Sequence, residues 1–102
     1  MIARIWRGWA SLASADAYQR HYETEVGGHL RAVSGFRGAR LLRHDDGREV
    51  MFTSITFFTS LDAVRGFAGD DYEQAVVEGA ARQALVRGDE RVAHHQVVAE
   101  LE

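Results

Sequence analysis

Two strand-like runs, 36–44 and 48–58, are separated only by Asp45-Asp46-Gly47, and this hairpin constrains the fold more than any other feature. In the first run Phe36, Gly38, Arg40 and Leu42 alternate with Arg37, Ala39, Leu41 and Arg43. The second places Met51, Ile55 and Phe57 on one face and Val50, Phe52 and Phe58 on the other. A period of two marks a strand, and a glycine able to take positive φ suits the tight reversal. The second strand is apolar on both faces, so both faces of its sheet need cover.

The remaining elements arrange themselves around that hairpin. Residues 2–9, Ile-Ala-Arg-Ile-Trp-Arg-Gly-Trp, are rich in β-branched and aromatic side chains and form a strand. Ser14 opens a helix to about residue 34 whose stripe is Tyr18, Tyr22, Val26, Leu30 and Val33. Gly27-Gly28 inside it costs about 1 kcal/mol per glycine relative to alanine, so a bend or loosened turn is expected there. Ser60 caps a short helix carrying Leu61, Val64, Phe67 and Ala68, with Gly69 at its C-terminal cap. Residues 70–87 read as further helical turns interrupted near Gly79, and 90–101 as a final strand.

The order β-α-β-β-α-β is the ferredoxin-like split βαβ unit, an α+β fold with a four-stranded antiparallel sheet and both helices on one face. The other face is left for a second copy of the chain, most simply through a two-fold homodimer. At 102 residues the chain is read as a single domain, 1–102, with no second core.

Composition removes several function classes. The chain has no cysteine, which excludes disulfides, thiolate metal sites and thiol nucleophiles. All twelve basic residues are arginine, they are scattered, and the net charge is −3, so nucleic acid is not an expected partner. Arg4 and Arg7 interrupt the apolar N-terminal run, so neither a signal-peptide core nor a membrane span is drawn there and a cytoplasmic location is the default.

The run Phe36-Arg37-Gly38-Ala39-Arg40-Leu41-Leu42-Arg43, the Asp-Asp-Gly turn, Phe58-Thr59-Ser60-Leu61-Asp62-Ala63-Val64-Arg65 and Phe67-Ala68-Gly69-Asp70-Asp71-Tyr72 together resemble the antibiotic biosynthesis monooxygenase-like family. The opening strand and Arg91-Val92-Ala93-His94-His95 fit as well, so the resemblance covers nearly the whole chain. It implies a dimeric α/β barrel. For chemistry it is less specific, because that family includes cofactor-free oxygenases of aromatic polyketides and haem-degrading enzymes. The haem degraders use an asparagine on strand one, a tryptophan where strand three enters helix two and a histidine after helix two. Trp6, Phe58 and Val76-Val77 occupy those positions here, and the chain contains no asparagine at all. The haem reading thereby loses its ligand. The cofactor-free mechanism loses its asparagine too.

Oxygenation without metal, flavin or other cofactor needs a substrate able to become an electron-rich anion, an apolar cavity, and a base or donors beside it. Trp6, Tyr22, Phe52, Phe58, Phe67 and Tyr72 are the candidate aromatic lining, with Arg4 or Arg40 to orient an anion. Aromatics at such positions equally fill cores. Of the histidines, His44 flanks the turn, and His94 and His95 must face opposite sides of the last strand. His94 is the preferred candidate base, with His21 on the first helix as the second. His21 and His29 are not at i, i+4 spacing, and no metal site is expected. Three readings stay open: a small oxygenase acting on an aromatic or polyketide-like substrate, a non-catalytic small-molecule-binding or stress-response homodimer, and a structural dimer whose cavity is filled by its own side chains.

Overall fold

The computed structural model of the chain describes residues 1–77 and 79–102. Strand β1, Ile2–Ser11, is the spine of the sheet. It pairs antiparallel with β3, Glu49–Phe58, from Ile2 opposite Phe58 to Ser11 opposite Glu49. Strand β2, Phe36–Asp46, forms the far edge beyond β3, joined by the hairpin with Gly47 at φ +70°. The other edge of β1 carries two short strands: β4, Leu85–Gly88, beside Gly8 to Ala10, and β5, Ala93–Gln96, beside Ile2 to Ile5. The result is an antiparallel α+β sheet with helices on one face, the ferredoxin-like arrangement expected from the element order.

Alternation along β1 and β3 decides what is buried. Arg4, Trp6, Ala10, Val50, Phe52, Thr56 and Phe58 point under the helices and are buried. Ile5, Trp9, Met51, Ile55 and Phe57 point the other way and stay half-exposed, with no helix over them. In β2 the pairing jumps from Phe36 opposite Phe58 to Gly38 opposite Phe57, and Gly38 takes φ +130°. Arg37 is therefore an extra residue, and the simple alternation read from the sequence fails at Phe36. The bulge turns Phe36 to the helix side, where its ring stands edge-on to Phe58 at 6.4 Å.

The first helix runs as α1, Ala15–His21, a π-helical turn, Tyr22–Val26, and α2, Gly27–Arg31. The loosened turn expected at Gly27-Gly28 thus lies immediately before the glycines. Helix α3, Leu61–Ala68, matches its sequence signals: the Ser60 hydroxyl accepts from the Ala63 amide at 3.2 Å, and Gly69 ends it at φ +86°.

The C-terminal third departs from the sequence reading. Only α4, Gly79–Ala84, is helical between 70 and 87 among the described residues, and residue 78 lies outside them. The strand expected over 90–101 is replaced by β4 and β5, with 90–92 leaving the edge of β1 between them. That excursion is satisfied elsewhere, because the Val92 amide donates to the Glu73 carbonyl at 2.7 Å and the Ala75 amide to the Glu90 carbonyl at 3.2 Å. No helix among the described residues is long and apolar enough to cross a membrane.

Two packed clusters form under the helices. One centres on Trp6, Tyr18, Val50 and Phe52, with the Tyr18 and Phe52 rings 4.8 Å apart, and the other on Leu30, Phe58 and Val64.

Candidate functional site

Where the two clusters meet they leave a cavity of about 80 Å³ between sheet and helices. Arg4 and Trp6 of β1 and Ser54 and Thr56 of β3 form its sheet wall, and Tyr18, Tyr22, Val26 and Leu30 form its helix wall. Val26, Phe67, Val76 and Ala81 also border an outer hollow of about 450 Å³ holding His21, Glu25 and His29. A cavity of roughly 150 Å³ is what accommodates a benzene ring, so the inner space alone does not hold one.

Arg4 is the unusual wall residue, being 6% exposed. Its guanidinium donates to the carbonyls of Tyr72 and, at 3.4 Å, Gln74, meets His94 Nε2 at 3.0 Å, and lies 5.6 Å from the Phe67 ring centre. Among the described residues no carboxylate forms an ion pair with it. Burial lowers its pKa to about 10. A buried cation held only by neutral acceptors has an unmet demand for negative charge.

β5 sets His94 directly opposite Arg4, with His95 opposite Ala3 on the uncovered face. The imidazole packs edge-on against Tyr72 at 5.1 Å. Guanidinium only donates, so His94 Nε2 must accept and Nδ1 carries the proton. Burial, then the Arg4 charge, hold the His94 pKa below its usual value; Glu73 pulls the other way and His95 adds to the lowering. His94 is thus a neutral imidazole whose lone pair is occupied by Arg4. It stands behind Arg4 and is not part of the cavity wall.

Tyr22 opens the π-helical turn, and its hydroxyl is buried with no hydrogen bond of acceptable geometry. Burial raises its pKa; the Thr56 side chain lies close enough to oppose that shift, and burial prevails. The phenol is therefore neutral. Leaving it unpartnered costs about 1–3 kcal/mol. Trp6, by contrast, is fully committed: its indole N–H donates to the Asp89 carbonyl at 2.6 Å, and its ring lies against Gly8 and Gly88.

The structure thus brings four of the sequence candidates, Arg4, Trp6, Tyr22 and Phe67, onto the cavity, and sets Tyr72 and His94 against Arg4. Phe52 and Phe58 point toward the helices as alternation predicts, but both are fully buried within the clusters and neither lines the cavity. His21 belongs to the outer hollow, and Arg40 is exposed. Sequence reasoning misses Ser54 and Thr56, although their even-numbered positions beside Phe52 and Phe58 carry the signal. The carbonyls that hold Arg4 lie in a segment outside the helices and strands and have no sequence signature.

Among the described residues no group of three histidines or carboxylates is placed to hold a metal ion. The cavity does not suit a haem either. It is far smaller than a porphyrin, and no histidine is among the described residues that line it.

No family model matches the chain, and no curated protein sequence matches it. Solved structures do. The haem degrader MhuD of Mycobacterium tuberculosis, with two haems bound in its active site, superposes with TM-score 0.65 at 20% identity over 100% of both chains. A mutant of MhuD, with two manganese protoporphyrin IX molecules per active site, gives 0.65 at 17% identity over 100% of this chain and 99% of that one. Rv0793 of Mycobacterium tuberculosis gives 0.62 at 20% identity over 99% and 98%. At these identities the likeness establishes a shared fold over the full length, and nothing finer.

Proposed function

We propose that this chain is a homodimeric protein that binds a small aromatic anion between sheet and helices and oxygenates it without metal or flavin. The observation that carries the reading is Arg4, a buried guanidinium with no carboxylate partner among the described residues, on the wall of an aromatic cavity. An aromatic oxyanion supplies the missing charge, and Phe67 and Trp6 supply its apolar surroundings. The half-exposed Ile5, Trp9, Met51, Ile55 and Phe57 on the face that no helix covers support the dimer.

For an anthrone-type substrate the chemistry balances with dioxygen alone. A ring CH2 loses one proton, and the carbanion, stabilised as a phenolate at Arg4, gives its electron pair to dioxygen to form a C–O bond. Loss of the second C–H proton with O–O cleavage leaves a carbonyl and water. All four electrons come from the substrate. Arg4 stabilises the anion, and as it turns toward the ligand it frees the His94 Nε2 lone pair to take a proton.

Oxygen uptake with 1,8-dihydroxyanthrone tests this against heat-inactivated protein, which measures autoxidation. Uptake above that control, lost in Arg4→Met, supports the oxygenase. The second reading, a non-catalytic binding dimer, is favoured by the occupied His94 lone pair; binding of the anthrone without excess oxygen uptake would establish it.

A further inference from the structure

The geometry points to the Tyr22 hydroxyl as a hydrogen-bond donor to the bound molecule, and hence to a ligand that presents an acceptor oxygen, carbonyl or oxyanion, to helix 15–31. This rests on the binding reading above and adds a second polar contact opposite Arg4.

Two independent observations meet at this residue. The hydroxyl is buried with the Thr56 side chain beside it but makes no hydrogen bond of acceptable geometry, in a chain whose other buried side-chain polar atoms are satisfied among the described residues. Natural cores rarely leave such a group unpaired, and exceptions call for a role. The second observation is the backbone. A π-helical turn begins at Tyr22 itself and occupies Tyr22–Val26, directly before Gly27-Gly28. Such turns are rare and occur frequently at functional sites, because the wider turn rotates the residues that follow it relative to those before. Here Tyr18 lies before the turn, Val26 and Leu30 close to its end and beyond, and all of them reach the same cavity as Tyr22.

The neighbours fix the chemistry of the contact. Trp6 is already bonded to Asp89 and Arg4 to three acceptors, whereas the Tyr22 hydroxyl has only the Thr56 side chain beside it, without good hydrogen-bond geometry. Since burial keeps the phenol protonated, it donates and does not serve as a base. A wall with a cation on the sheet side and a neutral O–H on the helix side holds an oxygen between them. A hydrocarbon gains nothing from either.

The test is Tyr22→Phe, read by thermal melting and by titration with 4-nitrophenol. A hydroxyl kept for a ligand is dispensable to the free fold. The expected result is an unchanged or raised melting temperature together with about tenfold weaker 4-nitrophenol binding. A melting temperature lowered by several degrees would show that the hydroxyl serves the fold and would overturn the inference. Wild-type binding of 4-nitrophenol undiminished in Tyr22→Phe would also overturn it while leaving the Arg4 pocket standing. Absence of binding to the wild type would defeat both.

Discussion

Gly88→Ala tests the packing that shapes the cavity. A Cβ at Gly88 would lie 2.4 Å from Trp6 Cζ2 and 3.1 Å from Cη2, well inside ordinary contact. The ring cannot yield freely, because it already lies close against Gly8 of its own strand and the indole N–H is held by the Asp89 carbonyl. Overpacking of this kind costs about 1–3 kcal/mol. Moving the ring far enough to clear the methyl stretches the hydrogen bond, adding about 1 kcal/mol. Against this, alanine restricts the unfolded chain and returns about 0.4–1 kcal/mol. The net loss of about 1–3 kcal/mol corresponds, for a domain of this size, to a melting temperature lower by about 5–20 °C. Differential scanning calorimetry reads it, and Trp6→Leu should remove most of the penalty in a double-mutant cycle, because the clash is with the indole. A Gly88→Ala protein that melts within a degree of wild type would refute the placement of Trp6.

Phe57→Asp puts a charge on the uncovered sheet face and should convert the proposed dimer into a folded monomer; an unchanged sedimentation profile would count against that face as the interface. Stability should fall with pH as it drops through the ordinary histidine value of 6.5. The folded state holds His94 neutral with a lowered pKa, so the unfolded chain takes up its proton first, and acid melting curves of His94→Gln should show a shallower decline. Haemin titration should give no imidazole-ligated Soret band, since no histidine reaches the cavity; a band lost in His21→Ala would instead place haem in the outer hollow.

The first two thirds of the fold were legible because each element carried its own local signal. Ser60 and Gly69 bracket α3, Gly47 closes the hairpin, and alternation orients Trp6, Phe52 and Phe58. The bulge at Arg37 was invisible, since the strand pattern continues through it and only Gly38 at φ +130° marks it. The C-terminal third misled for a different reason. Leu85 and Val86 extend a helical apolar pattern, yet pairing with the free edge of β1 draws them into β4, a tertiary preference that local propensity cannot express. For the site, alternation placed Trp6, Phe52 and Phe58 on the face that the helices cover. It could not show which of them pack solid and which leave a gap, because that depends on how two clusters fit together. The isolation of Arg4 was hidden for the same reason, its partners being backbone carbonyls of Tyr72 and Gln74.

The central claim, that Arg4 makes this cavity an anion site, is tested most directly by calorimetric titration of the wild-type protein with 4-nitrophenolate and with nitrobenzene, repeated on Arg4→Met. The account predicts that the phenolate binds at least about tenfold more tightly than the neutral ring and that Arg4→Met abolishes the difference. Equal affinity of the wild type for the two rings, or a preference that survives the loss of the guanidinium, would contradict it.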